Sequence, residues 1–478
     1  MKTNTVNAKC TASRKCSGCQ LKNLTYSEQI KLKQSKVNKA LAGICNVERI
    51  VPAPAEFRYR NKASAVFFED RSKTVRWGIY QSAKGEVAAV EKCLLQPQLA
   101  DEIFSTLAQL IKSFKVKLYN HQSKKGFLRS ATVRVAEATG QVMVTLVTNE
   151  GDFQKESQFV NALLKKHGEI TTVVRSVYTG DAVIMNGEKE ITLFGNGYIE
   201  DKLCEKTFRI SSRSFYQINS RQTQALYQKA VDLAELDSDS TFLDAYCGTG
   251  TIGIIASQKA KNGVGVEVNS AAVEDAKINA ELNKAENMSF VCGDAGAYLE
   301  KECKKGNVFD VVFTDPPRAG CSLKFLKSLC IAKPKKVVYV SCNPETQARD
   351  LRFLLKNGYK IKSATPFDMF PQTGHVETVV LLSQRRPDAH IDIKLDLSEL
   401  DITAAETKAT YQEIKDYVLE KHGLKVSTLY ISQVKTKCGI IERENYNKGK
   451  EGHRVPQCPK EKEDAIMDAL RHFKMVNI

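Results

Sequence analysis

Residues 241–253 have the sequence TFLDAYCGTGTIG, in which an apolar run leads into three closely spaced glycines. The run Thr241–Tyr246 predicts a buried strand, and the glycines predict a tight loop that opens a helix. Glycine lets the backbone turn sharply and approach a ligand where a side chain would clash. The stretch therefore predicts a ligand site at the carboxyl end of a strand.

The same rhythm of strand, loop and helix continues towards the C-terminus. Helical stretches such as Ala271–Leu282 and Leu323–Ile331 separate short apolar segments. The predicted strands are Gly263–Val268, Met288–Cys292, Val308–Thr314 and Lys336–Ser341, followed by the pair Lys360–Ala364 and Glu377–Ser383. This alternation predicts an α/β fold with a Rossmann-like, doubly wound sheet.

Four regions are expected along the chain. Residues 1–62 form a basic, cysteine-rich segment with a helix at Ser27–Leu41, and residues 63–206 predict a mainly β domain. That β domain is predicted to contain strands at Ala63–Glu69, Thr132–Val135, Gln141–Val147 and Thr172–Ser176, a helix at Gln158–His167, and a Tyr178–Phe194 hairpin turning near Asn186 and Gly187. Residues 207–386 contain the Rossmann-like domain, and residues 387–478 contain a linker and a helical extension.

Charge is concentrated at the start of the chain. The net charge is +16, and residues 1–62 contain 13 Lys and Arg but only three acids. Such a segment suggests contact with a polyanion, although a solvated basic face remains an alternative. No apolar run is long enough to span a membrane and the first residues lack a signal-peptide pattern, so the protein is expected in the cytoplasm. Because thiols are kept reduced in that compartment, the 14 cysteines are not expected to form structural disulfides.

Two acids are placed to contact the ligand of the glycine loop. Glu267 follows Gly250 by 17 residues and ends the next strand, where a carboxylate can accept hydrogen bonds from ribose hydroxyls. Asp294 ends the third strand and could meet an adenine edge. Because the glycine spacing also fits a dinucleotide fingerprint, a nicotinamide oxidoreductase remains an alternative at this point.

Three further motifs lie at strand ends or in adjacent loops. They are Asp315-Pro316-Pro317-Arg318, Ser341-Cys342-Asn343-Pro344 and Gly374-His375-Val376-Glu377. A fourth motif is Phe215-Tyr216-Gln217-Ile218-Asn219. With these four motifs the chain resembles the RNA uracil-5-methyltransferase family over about residues 8–385. The resemblance implies a class I methyltransferase that transfers a methyl group from S-adenosylmethionine (SAM) to C5 of uridine.

The resemblance also implies roles for individual residues. Cys342 matches the nucleophile and Glu377 the base, while Arg318 is a candidate for stabilising charge and His375 for either catalysis or ordering of its loop. The chemistry needs such groups, because C5 of uracil becomes reactive only after a thiolate adds to C6. The implied SAM contacts are Gln217, Tyr246, Thr251, Glu267, Asp294 and Asp315.

A set of cysteines points to one branch of the family. Cys10, Cys16, Cys19 and Cys93 match the four-cysteine [4Fe–4S] site of the ribosomal RNA branch, although four thiolates also suit zinc. The resemblance therefore implies 23S ribosomal RNA of the large subunit as substrate. We expect a monomer without membrane contact.

Other interpretations remain. Uridine in transfer RNA is an alternative substrate, and a non-catalytic RNA-binding or assembly factor could retain the SAM fold. An oxidoreductase leaves the Asp315 and Cys342 motifs unexplained, and a cytosine-5 enzyme would usually show a Pro-Cys dipeptide, which the Asp315 loop lacks. RNA docking is expected from residues 1–62, through Lys31, Lys33, Lys36 and Lys39, and the helical tail could contact RNA or merely pack.

Overall fold

The computed structural model describes residues 10, 16, 18–80, 87–121, 123–180, 187, 189–384, 411–438, 457–473, 475 and 476. The chain divides into two compact units, Met1–Arg386 and Pro387–Ile478. None of the helices within the described residues is both long enough and apolar enough to cross a membrane.

The strands of the first unit are β1 Lys62–Glu69, β2 Val75–Tyr80, β3 Val87–Ala89, β4 Leu128–Val135, β5 Val142–Thr148, β6 Ile170–Val177, β7 Lys189–Phe194, β8 Tyr198–Leu203, β9 Lys206–Ser211, β10 Thr241–Ala245, β11 Asn262–Glu267, β12 Met288–Cys292, β13 Val311–Thr314, β14 Lys336–Ser341, β15 Tyr359–Phe367 and β16 Glu377–Gln384. Its helices are α1 Tyr26–Ala40, α2 Gln98–Ser113, α3 Glu156–Lys166, α4 Ser220–Ala234, α5 Thr251–Ala256, α6 Ser270–Leu282, α7 Ala295–Lys304, α8 Leu323–Ala332 and α9 Pro344–Lys356. The second unit contains α10 Tyr411–His422, α11 Thr428–Lys437 and α12 Lys460–His472.

The predicted doubly wound sheet is confirmed. Its seven strands have the order β12-β11-β10-β13-β14-β16-β15. The first five strands are parallel, whereas β16 runs antiparallel to both β14 and β15. One predicted boundary was wrong, because Val308 is 67% exposed and the strand begins only at Val311.

Both faces of this sheet are buried, which explains why its strands are almost wholly apolar. Phe242, Val311 and Val338 point to one core, which α4, α5 and α6 cover. Leu243 and Val312 point to the opposite core, which α7, α8 and α9 share with α1. The helix near the N-terminus therefore packs on the Rossmann-like sheet.

A second seven-stranded sheet has the order β3-β2-β1-β4-β5-β6-β7. Residues of α2 and α3 share a hydrophobic core with it, and Trp77 lies 5.2 Å from Phe104, measured between ring centroids. The sequence patterns did not predict α2, β2, β3 or the β8–β9 hairpin. The end of the predicted Tyr178–Phe194 hairpin corresponds to β7, which pairs antiparallel with β6. The predicted turn residue Asn186 lies outside the described residues.

The second unit has its own core. Ile414, Val418, Ile431, Ile466 and Leu470 are fully buried between α10, α11 and α12. All three helices lie within residues 387–478, the range of the predicted linker and helical extension. The acidic linker, residues 388–401, lies outside the described residues.

Candidate active site

A cavity of about 560 Å³ opens at the carboxyl ends of β10, β11 and β13. Its volume falls within the range of roughly 300–1,000 Å³ that is common for small-molecule sites. The lining residues are Arg213, Ser214, Phe215, Tyr227, Asp244, Tyr246, Cys247, Gly248, Thr249, Thr251, Ile252, Glu267, Val268, Asn269, Ala271, Ala272, Asp275, Asp315 and Pro317.

The glycine loop forms one wall of the cavity. Tyr246 (φ 62°) and Gly250 (φ 79°) both have left-handed backbone conformations, and a Cβ on Gly250 would lie 2.8 Å from the Phe290 ring. The Glu267 carboxylate accepts hydrogen bonds from the backbone N–H of Gly248 (3.2 Å) and of Asn269 (2.9 Å). The left-handed residues turn the chain out of β10, and Glu267 fixes the loop beside the cavity.

Four of the predicted SAM contacts line this cavity, namely Tyr246, Thr251, Glu267 and Asp315. Gln217 and Asp294 are not among the lining residues. The Gln217 amide instead hydrogen-bonds the hydroxyl of Tyr227, whose ring lines the cavity. Asp294 caps α7 by accepting from the Ala297 N–H at 2.8 Å.

Several residues that line the cavity were not predicted from the sequence. Tyr227 comes from the middle of α4 and Asp275 from α6, where neither belongs to a recognisable motif. Asp275 accepts hydrogen bonds from Ser211 Oγ (3.1 Å) and Ser214 Oγ (2.6 Å), which attach the loop after β9 to α6. Only the folded chain brings these residues to the cavity.

Acidic groups cluster beneath the cavity. Burial raises the pKa of both Asp244 and Asp315 to about 7. Burial, and then the charge of Asp315, raises the pKa of Glu377 well above its usual value. The pKa of the Tyr227 hydroxyl is also raised well above 10, first by burial and then by Asp315. Acids gathered in a poorly solvated site favour a positively charged ligand or retain protons in its absence.

Cys342 lies beside this cluster, after β14. It is half-buried, and its thiol pKa is raised to about 11 by burial and then by Glu377 and Asp315. The exposed Arg318 lowers that pKa. The structure thus brings together the predicted nucleophile, base and charge-stabilising residue, although their roles stay predictions.

Two loops of the site are tied together by hydrogen bonds. Asn343 caps α9 by accepting from the Glu345 N–H, and its amide donates to the Arg318 carbonyl at 3.2 Å. Thr346 Oγ1 donates to the same carbonyl at 3.2 Å. The loop that contains Asp315 and Arg318 is therefore held against the loop that contains Cys342.

His375 lies among cations, two residues before Glu377. Its ring is 6.2 Å from that of Phe370, in an edge-on arrangement. Burial lowers the His375 pKa, and so do Arg318 and Lys36. Burial and these cations therefore favour the neutral form of the His375 imidazole.

The four predicted metal ligands lie near one another. The pKa of the Cys19 thiol is raised to about 11 by burial and then by the thiols of Cys93, Cys16 and Cys10. Among the described residues, however, no group of three or more His, Cys, Asp or Glu side chains is close enough to hold a metal ion as placed. The donor chemistry of the four thiols fits a thiolate-bound metal.

One expected RNA contact is contradicted. Lys33 is fully buried in α1, where it forms an ion pair with Asp368 and donates to the Phe370 carbonyl at 2.9 Å. A buried lysine that is already paired cannot bind phosphate. Of the other three lysines in the predicted set, Lys31 and Lys39 are exposed and Lys36 is partly exposed.

Known proteins resemble this chain over most of its length. Residues 25–385 match the family described as tRNA (Uracil-5-)-methyltransferase. An uncharacterized RNA methyltransferase of Staphylococcus aureus (strain MSSA476) is 37% identical over 385 residues, which is 80% of this chain and 85% of the relative. One of Clostridium acetobutylicum is 38% identical over 382 residues, covering 78% of this chain and 83% of the relative.

A solved structure agrees with these relatives. The tRNA (uracil-54, C5)-methyltransferase of Pyrococcus abyssi, in complex with S-adenosyl-L-homocysteine, is 30% identical, with a TM-score of 0.64 over 77% of this chain and 86% of that one. Neither the oxidoreductase nor the non-catalytic alternative finds support among these matches. The chain belongs to the RNA (uracil-5-)-methyltransferase family and is a SAM-dependent enzyme that methylates C5 of uracil in RNA.

Proposed function

We propose that the enzyme methylates uridine in 23S ribosomal RNA, with Cys342 as nucleophile and Glu377 as base. The observation that supports this mechanism is the convergence of Cys342, Glu377, Asp315 and Arg318, whose charges all affect the Cys342 thiol. These groups adjoin the cavity into which Asp315 also points. A nucleophile, a base and a counterion beside a ligand cavity meet the requirements of covalent methyl transfer.

In the proposed reaction the Cys342 thiol releases its proton to water, and its sulfur forms a bond to C6 of uracil. The C5–C6 double bond becomes a single bond, which leaves an electron pair available at C5. SAM supplies an electrophilic methyl group, which bonds to C5 as its bond to sulfur breaks. The Glu377 carboxylate then removes the C5 proton, and the C5–C6 double bond re-forms as the sulfur leaves C6. A raised pKa suits Glu377, because it makes the ionised carboxylate a stronger base.

SAM would be held by residues that line the cavity. Glu267 can accept hydrogen bonds from the ribose hydroxyls, and Tyr246 and Thr251 flank the glycine loop. Asp315 and the neighbouring acids favour a cation, and the sulfonium of SAM is one. Gln217 would act from the rim, through its hydrogen bond to Tyr227.

Ribosomal RNA is proposed because the four cysteines resemble those of the ribosomal branch. Their proximity supports this, since the charges of the other three thiols raise the pKa of the Cys19 thiol. We propose that these thiolates hold a [4Fe–4S] cluster, with zinc as the alternative. Transfer RNA is the second candidate substrate. It is favoured by the description of the matched family and by the Pyrococcus abyssi enzyme, which is named for a transfer RNA uracil.

The effect of Arg318 on the thiol can be tested by alkylation. In Arg318→Met the loss of the nearby cation should raise the Cys342 pKa further above about 11. At pH 9 iodoacetamide should then modify Cys342 roughly three- to tenfold more slowly, since one pKa unit changes the thiolate fraction about tenfold. Mass spectrometry of the Cys342 peptide measures the rate, with exposed Cys292 as internal reference. Equal Cys342 rates in both proteins would contradict the charge interaction.

The covalent mechanism predicts a stable adduct with RNA that contains 5-fluorouridine, because fluorine cannot leave C5 as a proton does. Wild type should form the adduct, and Cys342→Ala should form none while its SAM affinity stays within about twofold. With ordinary uridine RNA, Glu377→Gln should accumulate the methylated adduct, since its amide cannot remove the C5 proton. Denaturing gels resolve the adducts. An adduct in Cys342→Ala would exclude Cys342 as the nucleophile.

The substrate can be identified by mapping C5-methyluridine in cells with and without the gene. The proposal predicts that methylation disappears from one or more sites in 23S ribosomal RNA and returns with the wild-type gene. Complementation with Cys342→Ala should fail and serves as the matched control. Loss of the modification from transfer RNA instead would select the second candidate.

The metal can be identified after anaerobic purification. A [4Fe–4S] cluster predicts about four irons and four sulfides per chain, with broad absorbance from thiolate-bound iron. Cys19→Ser should lose iron, sulfide and absorbance, whereas Cys292→Ser, at a cysteine outside the set, should keep all three. Stoichiometric zinc without sulfide would establish the alternative.

A further inference from the structure

The segment between β15 and β16, residues 368–376, contains no strand or helix and leads directly into Glu377. Residues from the start of the chain hydrogen-bond along its length. We propose that Leu21, Gln29, Lys33, Lys36 and Tyr59, here called the clamp, position Glu377 for removal of the C5 proton. The inference rests on the proposed role of Glu377 as the base.

The strongest part of the clamp is a reciprocal pair of glutamines. Fully buried Gln29 accepts a hydrogen bond from the Gln372 N–H at 2.8 Å and donates to Gln372 Oε1 at 3.0 Å. The Leu21 N–H donates to the Gln372 carbonyl at 3.0 Å. Gln372 has a left-handed backbone (φ 68°), a strained conformation that persists only where its surroundings hold it. The clamp supplies that restraint.

The other contacts fix the residues on both sides of Gln372. Lys33 pairs with Asp368, and the Tyr59 hydroxyl donates to the Pro371 carbonyl at 3.0 Å. The Lys36 ammonium donates to the Gly374 carbonyl at 3.4 Å. Lys33 and Asp368 are both fully buried, so loss of either would leave an uncompensated charge in the core.

This arrangement assigns a function to α1 that charge alone did not reveal. The helix buries Gln29, Lys33 and Val37, spaced four residues apart on one face, and two of the three bond to the segment before Glu377. Misplacing a catalytic group by about 1 Å can slow a reaction on the order of a hundredfold. A clamp on the preceding segment therefore matters most at the step in which Glu377 acts.

The test measures release of RNA from the methylated adduct. With uridine RNA in a single turnover, Gln29→Leu should slow adduct decay by about tenfold or more, because a loosened segment misplaces the base. SAM affinity should change less than about twofold, since the clamp does not line the SAM cavity. Adduct formed and released over time is read from denaturing gels, as for Glu377→Gln.

A matched control comes from the same helix. Asn38 accepts a hydrogen bond from Gln34 Nε2 at 3.0 Å on the exposed face of α1, so Asn38→Leu should leave adduct decay unchanged. Tyr59→Phe removes only the hydroxyl that contacts Pro371 and should slow decay several-fold. If Gln29→Leu does not fold, the isosteric Tyr59→Phe variant alone tests whether the clamp affects adduct decay.

Two results would overturn the clamp. One is adduct decay at the wild-type rate in both Gln29→Leu and Tyr59→Phe, and the other is equal slowing in Asn38→Leu, which would reflect general loosening of α1. A failure of the proposed function looks different. In that case the wild type forms no adduct with 5-fluorouridine RNA, or Glu377→Gln releases its product normally.

Discussion

The active site depends on the antiparallel pairing of β14 with β16. Ser341 lies opposite Thr378, and Thr378 Oγ1 donates to the Ser341 carbonyl at 3.3 Å. Since Cys342 follows Ser341 and Glu377 precedes Thr378, this pairing brings two residues 35 positions apart to one edge of the sheet. The parallel neighbour β13 ends at the same edge and delivers Asp315. A shift of one residue in the register would turn the side chains of β16 to the opposite face.

Burial at that edge determines the electrostatics of the site. Asp315, Glu377 and Cys342 are poorly solvated, so burial favours the protonated form of each. The charge of Asp315 further raises the pKa of Glu377, and both acids raise the pKa of the Cys342 thiol. Each pKa unit corresponds to about 1.4 kcal/mol of differential interaction between the two forms. A cationic ligand reduces the repulsion between the acids. The exposed Arg318 guanidinium already acts against that repulsion, because it lowers the pKa of the Cys342 thiol. Ligand charge and acid ionisation are therefore coupled in this site.

The N-terminal segment contacts the loop that precedes Glu377, at the edge of the Rossmann-like sheet. The pair Lys33 and Asp368 lies in the core, where removing one partner costs roughly 3–5 kcal/mol because the other charge stays buried. The same segment places Cys16 and Cys19 a few residues before Leu21, whose N–H contacts Gln372. The lysines of this segment therefore differ in their surroundings. Lys33 forms a buried ion pair within the fold, whereas Lys31 and Lys39 face solvent.

The sequence by itself determined the sheet and the order of its motifs, because strands buried on both faces must be apolar and a sharp turn at a ligand requires glycine. It also determined Cys342 and Glu377 as candidates, since both lie in short motifs at strand ends. Tertiary structure decided what depends on distant neighbours. Lys33 is buried because Asp368 lies opposite, and Tyr227 reaches the cavity because α4 packs on the sheet. Gln217 hydrogen-bonds Tyr227 and Asp294 caps α7, and neither residue lines the cavity. The Lys33–Asp368 pair and the packing of α4 on the sheet join residues far apart in the chain, and a local sequence pattern carries no information about such contacts.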